Sequence, residues 1–137
     1  MTRSAAWDAH PEHRIEIDAE RVALRVTWGG ELLAETTRGL ELREGRYPPV
    51  VYVPRDDVRM DRLRRSDHTT HCPFKGDATY FDVSEDLAED LAEASGDASG
   101  GQAEIAWSYE TPFDQMEAIR DHLAFYPDRV RIERPGA

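Results

Sequence analysis

The chain holds one cysteine, Cys72, and one lysine, Lys75, and they stand three residues apart in Thr70-His71-Cys72-Pro73-Phe74-Lys75-Gly76. Cys72 becomes a nucleophile if His71 or His68 takes its proton, because the thiolate rather than the thiol attacks. Lys75 offers a compact cation beside a glycine whose bare backbone lets an anionic group come close. His68, His71 and Cys72 are all metal-ligand types, yet neighbours along a chain rarely converge on one ion. A single cysteine also excludes a four-cysteine zinc site. No metal and no other cofactor is therefore expected. Blander roles stand beside these: a lone cysteine is commonly a small buried hydrophobe, and Lys75 can close a surface ion pair with Asp77.

Ser66, Thr69 and Thr70 add hydroxyl groups to the same stretch. Tyr52, Tyr80, Trp107, Tyr109 and Tyr126 each combine an apolar body with a polar tip. Aromatic residues on strands usually belong to the core. Five of them, taken with the odd composition of residues 66–76, point to a shared aromatic-walled pocket. Such a pocket suits a flat, polar-edged small molecule such as a nucleobase, a nucleoside or another heterocycle. Its expected contacts are Tyr52, Ser66, Thr70, Lys75, Tyr80, Trp107, Tyr109 and Tyr126. The rigid Pro48-Pro49 turn could hold Arg46 and Tyr47 at the mouth.

Strands must position most of these residues. Ile15 and Ile17 alternate with charges, and Val22 to Trp28 reads as a second strand. Gly29-Gly30 then makes a two-residue hairpin into Glu31–Thr37, followed by a short strand around Leu40 and Leu42. Val50–Val53 begins after Pro48-Pro49 and stops at Pro54. Residues 55–67 read as one or two helical turns, and 55–65 carry five Arg against three Asp, a locally basic surface. Those charges either pair among themselves on a solvated face or meet an anion. Residues 68–76 look too irregular for a strand or helix. Ala78–Val83 and Ala103–Tyr109 read as strands, with a Ser84-capped helix over 85–94 and a loop over 97–101 between them. Pro112 opens a short helix predicted to carry Met116, Ile119, Leu123 and Phe125, and Val130 and Ile132 mark a last strand.

The whole is one domain. The chain has 137 residues, and its 17 basic and 28 acidic residues leave a formal charge of -11. That balance argues against nucleic acid and anionic membranes as partners, since both call for a positive surface. No apolar run approaches the ~20 residues of a membrane span, and the first residues lack the apolar stretch of a signal peptide. A cytoplasmic location is expected. Residues 1–12 read as a loose tail and 13–134 as the domain, with an acidic excursion at about 84–101.

Several segments resemble one known family, the DUF427 domain, also labelled a predicted nucleotidyltransferase. They are Val51-Tyr52-Val53-Pro54-Arg55-Asp56-Asp57-Val58, then Ser66, then Thr70 to Tyr80 with its Thr-x-Cys-Pro-x-Lys-Gly run. Ala106-Trp107-Ser108-Tyr109-Glu110-Thr111-Pro112 and Leu123-Ala124-Phe125-Tyr126 complete the likeness, which covers about residues 13–134. The resemblance implies a mainly β, compact domain of the β-tent kind, two antiparallel sheets meeting at an angle, with short helices. It implies no established activity. Nucleotidyl transfer needs a carboxylate pair for Mg²⁺ and a glycine-rich phosphate loop. No Asp-x-Asp pair is present, and Lys75-Gly76 reverses the order of a P-loop. The leading expectation is thus a domain binding an unidentified small molecule. An enzyme of transferase or hydrolase type using Cys72 or Lys75 with His71, and a homodimer through an exposed sheet edge, are the alternatives.

Overall fold

A computed structural model describes residues 2–95 and 104–135. Two long strands, β1 (Ile15–Trp28) and β2 (Glu31–Glu44), form an antiparallel hairpin. Its turn requires positive φ at Gly29 (57°) and Gly30 (86°), which glycine adopts without steric cost. The sequence suggests four shorter strands here because bulges between Ile17 and Arg21 and between Val22 and Leu24 interrupt the alternation. The pairing nevertheless runs on through them. β3 (Val50–Tyr52) extends the sheet beside β2, and β8 (Arg131–Glu133) pairs with β1 on the far edge.

The second sheet has the order β4-β5-β6-β7, from β4 (Leu63–Cys72), β5 (Gly76–Val83), β6 (Ala106–Pro112) and β7 (Leu123–Phe125). All its pairings are antiparallel. The expected mainly β domain of two antiparallel sheets is what the chain forms.

Three local readings need correction. Residues 55–67 hold only short 3₁₀ turns, Arg55–Asp57 and Met60–Arg62, before β4 begins at Leu63. Residues 68–72, read as irregular, belong to that strand. β4 is an edge strand with most of its side chains exposed, so no period-2 apolar pattern announces it. The helix expected from Pro112 to Phe125 ends at Ile119 as a 3₁₀ segment. Asp121, at φ 60°, then turns the chain into β7, whose three residues are all buried.

The sheets join along one seam. Val53, just past β3, and Leu123 of β7 exchange two backbone hydrogen bonds of 2.7 and 2.8 Å, and both are fully buried. One core cluster, around Leu33, Val26, Phe81 and Ile105, fills one side. A second, around Leu42, Tyr52, Met116 and Ile119, fills the other. Helix α2 (Glu85–Ser95) follows Ser84, whose hydroxyl accepts the Leu87 N–H at 3.3 Å, and it sets Leu87 into the first cluster. The loop expected at 97–101 lies outside the described residues. Near the N-terminus, helix α1 (Ala6–Ala9) brings Trp7 against the second cluster, and Ser4 is buried.

Candidate functional site

A cleft of about 740 Å³ opens between the two sheets. β6 supplies Trp107 and Tyr109, which lie two residues apart and so share one face of the strand. Tyr52 enters from β3 and Tyr80 from β5, while Tyr126 follows β7. These rings also support one another. Trp107 meets Tyr52 edge-on with centroids 6.4 Å apart, and its indole N–H donates to the Tyr52 hydroxyl at 3.3 Å. On its other side it packs against Tyr126 at 4.6 Å. Tyr47, the most exposed large apolar side chain described, stands at the mouth with Pro48 and Pro49. Arg46, expected beside it, is not among the lining residues.

Lys75 closes the polar end. It is only 8% exposed, and its ammonium bonds to a Glu44 oxygen rather than to Asp77. The other Glu44 oxygen meets His13 Nε2 at 2.8 Å. Burial pushes the Glu44 carboxyl up, but hydrogen bonding and charge from Lys75, with His13 adding, hold it below its usual value. The Lys75 Nζ lies 6.0 Å from the centre of the Tyr109 ring. The turn that carries Lys75 is clasped from several directions. The Trp7 indole N–H donates to the Phe74 carbonyl at 2.8 Å, the Ser4 hydroxyl donates to the Pro73 carbonyl, and His13 stacks on Phe74 at 4.1 Å. Gly76 follows at φ 117°, where a Cβ would lie 3.2 Å from both Pro112 Cα and the Thr111 carbonyl oxygen.

Tyr109 is the odd member of this group. The residue is only 8% exposed, yet its hydroxyl has no hydrogen-bond partner among the described residues. Burial drives the phenols of both Tyr109 and Tyr52 well above their ordinary range, so each keeps its proton at any physiological pH.

Four of the expected site residues lie outside the cleft. Ser66 donates to Glu104, whose second oxygen binds His68 Nδ1 at 2.8 Å. Thr70 shares a 2.8 Å hydrogen bond with the Tyr80 hydroxyl, and His68 stacks on the Tyr80 ring at 4.4 Å. Thr70 therefore touches a ring that lines the cleft, Ser66 is linked to it only through Glu104 and His68, and neither lines the cleft itself. His71 and Cys72 are successive residues of β4 and face opposite ways. Cys72 is half-buried against the second core cluster. His71 is exposed, binds Asp77 at 2.7 Å and lines a separate groove beside Phe113. The structure does not bring together the thiol and either imidazole considered as its base.

The basic stretch pairs its own charges with acids from elsewhere in the fold. Arg55 and Arg65 converge on Glu110, Arg62 reaches Glu31 at 2.7 Å, and Arg64 bridges Asp82 and Glu85. Arg65 holds Glu110 through two hydrogen bonds of 2.7 and 2.6 Å, which, with Arg55, sets that carboxyl down at about 2. Sequence reasoning missed Glu44, His13 and the buried Glu41, which holds Arg134 at the cleft wall at 2.6 Å. The one available signal was that a lone buried lysine needs an acid, and the chain offers 28. Among the described residues, no group of three or more His, Cys, Asp or Glu side chains could hold a metal ion, and no helix is long and apolar enough to cross a membrane.

An all-antiparallel two-sheet domain with an aromatic cleft over a buried lysine paired with a half-buried glutamate is thus the class of protein defined here. The chain belongs to the family described as a domain of unknown function, DUF427, whose pattern matches residues 16–136. Among curated proteins none matches it.

Proposed function

We propose that this chain is a binding domain that takes a small, flat, polar-edged molecule between its two sheets. The observation that carries this reading is the Tyr109 hydroxyl, which has no partner although its side chain is largely buried in the wall of a 740 Å³ cleft. Among the described residues the one fully buried side-chain polar atom without a partner is Asp82 Oδ1, so the Tyr109 hydroxyl is open to the cleft and its donor is available to a molecule that enters. The size of the cleft falls within the ordinary range for small-molecule sites, and its rings offer faces for stacking. Arg134 and Lys75 are each held by a carboxylate, which leaves no unpaired cation among the described lining residues for a triphosphate. That weighs against nucleotidyl transfer. Catalysis by Cys72 or Lys75 has less support, since Glu44 holds the lysine and both histidines near the thiol are engaged elsewhere.

The test is a fragment screen of neutral and charged bicyclic heteroaromatics, read by thermal shift and by protein NMR. Binders that perturb the signals of Tyr109 and Trp107 are expected. A set in which none binds at millimolar concentration overturns the reading.

A further inference from the structure

The inner end of the cleft has a donor and acceptor pattern of its own. Resting on the binding reading above, we infer that it selects an uncharged lactam edge, a ring N–H beside a C=O, over a carboxylate or a phosphate. The donors come first. The Tyr109 hydroxyl is unpartnered, and the Tyr52 hydroxyl accepts from Trp107 while its own proton has no acceptor among the described residues. The Lys75 ammonium has three N–H groups, and its hydrogen bond to Glu44 occupies one. Together these ask for an acceptor such as a carbonyl oxygen.

Glu44 supplies the complement. It lines the same end, and each carboxylate oxygen can accept twice, so its bonds to Lys75 and His13 leave room for one N–H from a ligand. Charge decides between a lactam and an anion. Glu44 already cancels the Lys75 charge, and Glu41 holds the other lining cation, Arg134. An arriving carboxylate would face the Glu44 charge in a partly desolvated site with no unpaired cation to meet it. A lactam adds one donor and one acceptor and no net charge.

Three probes of matched shape separate the possibilities: isoquinolinone, its N-methyl derivative and naphthoate, each titrated at neutral pH against the whole chain by NMR. Isoquinolinone is expected to bind at least tenfold more tightly than either of the others. Glu44→Gln is expected to reverse the preference, weakening isoquinolinone and tightening naphthoate, because it leaves the Lys75 charge unopposed. Naphthoate binding as well as isoquinolinone to the unaltered protein, or N-methylation without effect, overturns the inference. Other flat fragments binding the cleft while the lactam does not would also overturn it and leave the binding reading standing. If no fragment of any kind binds, both fail. The three-probe comparison needs no variant, so it stays decisive even where the Glu44→Gln protein folds poorly.

Discussion

Lys75 stands two residues from Asp77, which makes that carboxylate its nearest partner along the chain. The fold instead gives it Glu44, 31 positions away, and gives Asp77 to His71. Residue types were therefore legible where residue partners were not. Tyr52, Tyr80, Trp107, Tyr109 and Tyr126 all line the cleft, as amphipathic rings on strands facing a shared space do. Ser66 and Thr70 were singled out by proximity to Lys75 in sequence, and Cys72 by its thiol beside His71, but proximity on a strand says nothing about which face a side chain takes. Tyr109→Phe removes only the unpartnered hydroxyl, so chemical denaturation should place its stability within about 1 kcal/mol of the parent, while fragment affinity falls roughly tenfold. A loss of about 2 kcal/mol or more would mean that the hydroxyl serves the fold. Glu110 sits at about 2, below the ordinary carboxylate, so its contribution is complete only above about pH 5 and disappears as pH falls toward 2. Glu110→Gln should thus cost on the order of 1–2 kcal/mol at neutral pH, screening included, with the gap closing below about pH 5. Urea unfolding at pH 7, 4 and 3 measures it, and a constant gap would contradict the assignment.

At the scale of elements, the hairpin β1–β2, strand β5 and helix α2 carry plain sequence signals: Gly29-Gly30, alternating apolar residues, and Ser84 ahead of Leu87. β4 and β7 do not. β4 lies at an edge with polar residues on both faces, and β7 is three buried residues whose Leu123 and Phe125 extend the apolar spacing of the preceding helical turn. Tertiary pairing with Val53 and with β6 decides the matter for β7. The β4–β5 turn is where an element directly sets the site. Gly76→Ala places a Cβ against the backbone of β6 at a φ that L residues rarely adopt. It should cost about 1–3 kcal/mol in denaturant unfolding and weaken whatever binds beside Lys75. Unchanged stability would show that the turn relaxes freely.

Over the whole molecule, acidity is the dominant long-range property. Arginines spread across both sheets are tied to carboxylates, among them Arg25 to Glu35, Arg43 to Asp18, Arg62 to Glu31 and Arg64 to Asp82. The formal charge of -11 is what remains after such pairing. Exposed pairs contribute little each, so screening the residual repulsion outweighs weakening them. The melting temperature should rise by about 3 °C or more between low salt and about 0.5 M sodium chloride, as calorimetry can show. A flat or falling curve would mean that the pairs, not the excess, govern stability. A mainly β chain was visible from alternation and turns, whereas its two-sheet arrangement was implied only by the family resemblance. The seam was neither, because a bridge between Val53 and Leu123 joins segments that share no local pattern.

The position of β8 also sets the order in which the molecule can assemble. Its residues 131–133 pair with Thr27, Val26 and Arg25, yet they follow the entire second sheet in the chain. A ribosome making this protein must therefore release all of the second sheet before the first can close, so the first sheet cannot be completed as an independent N-terminal unit.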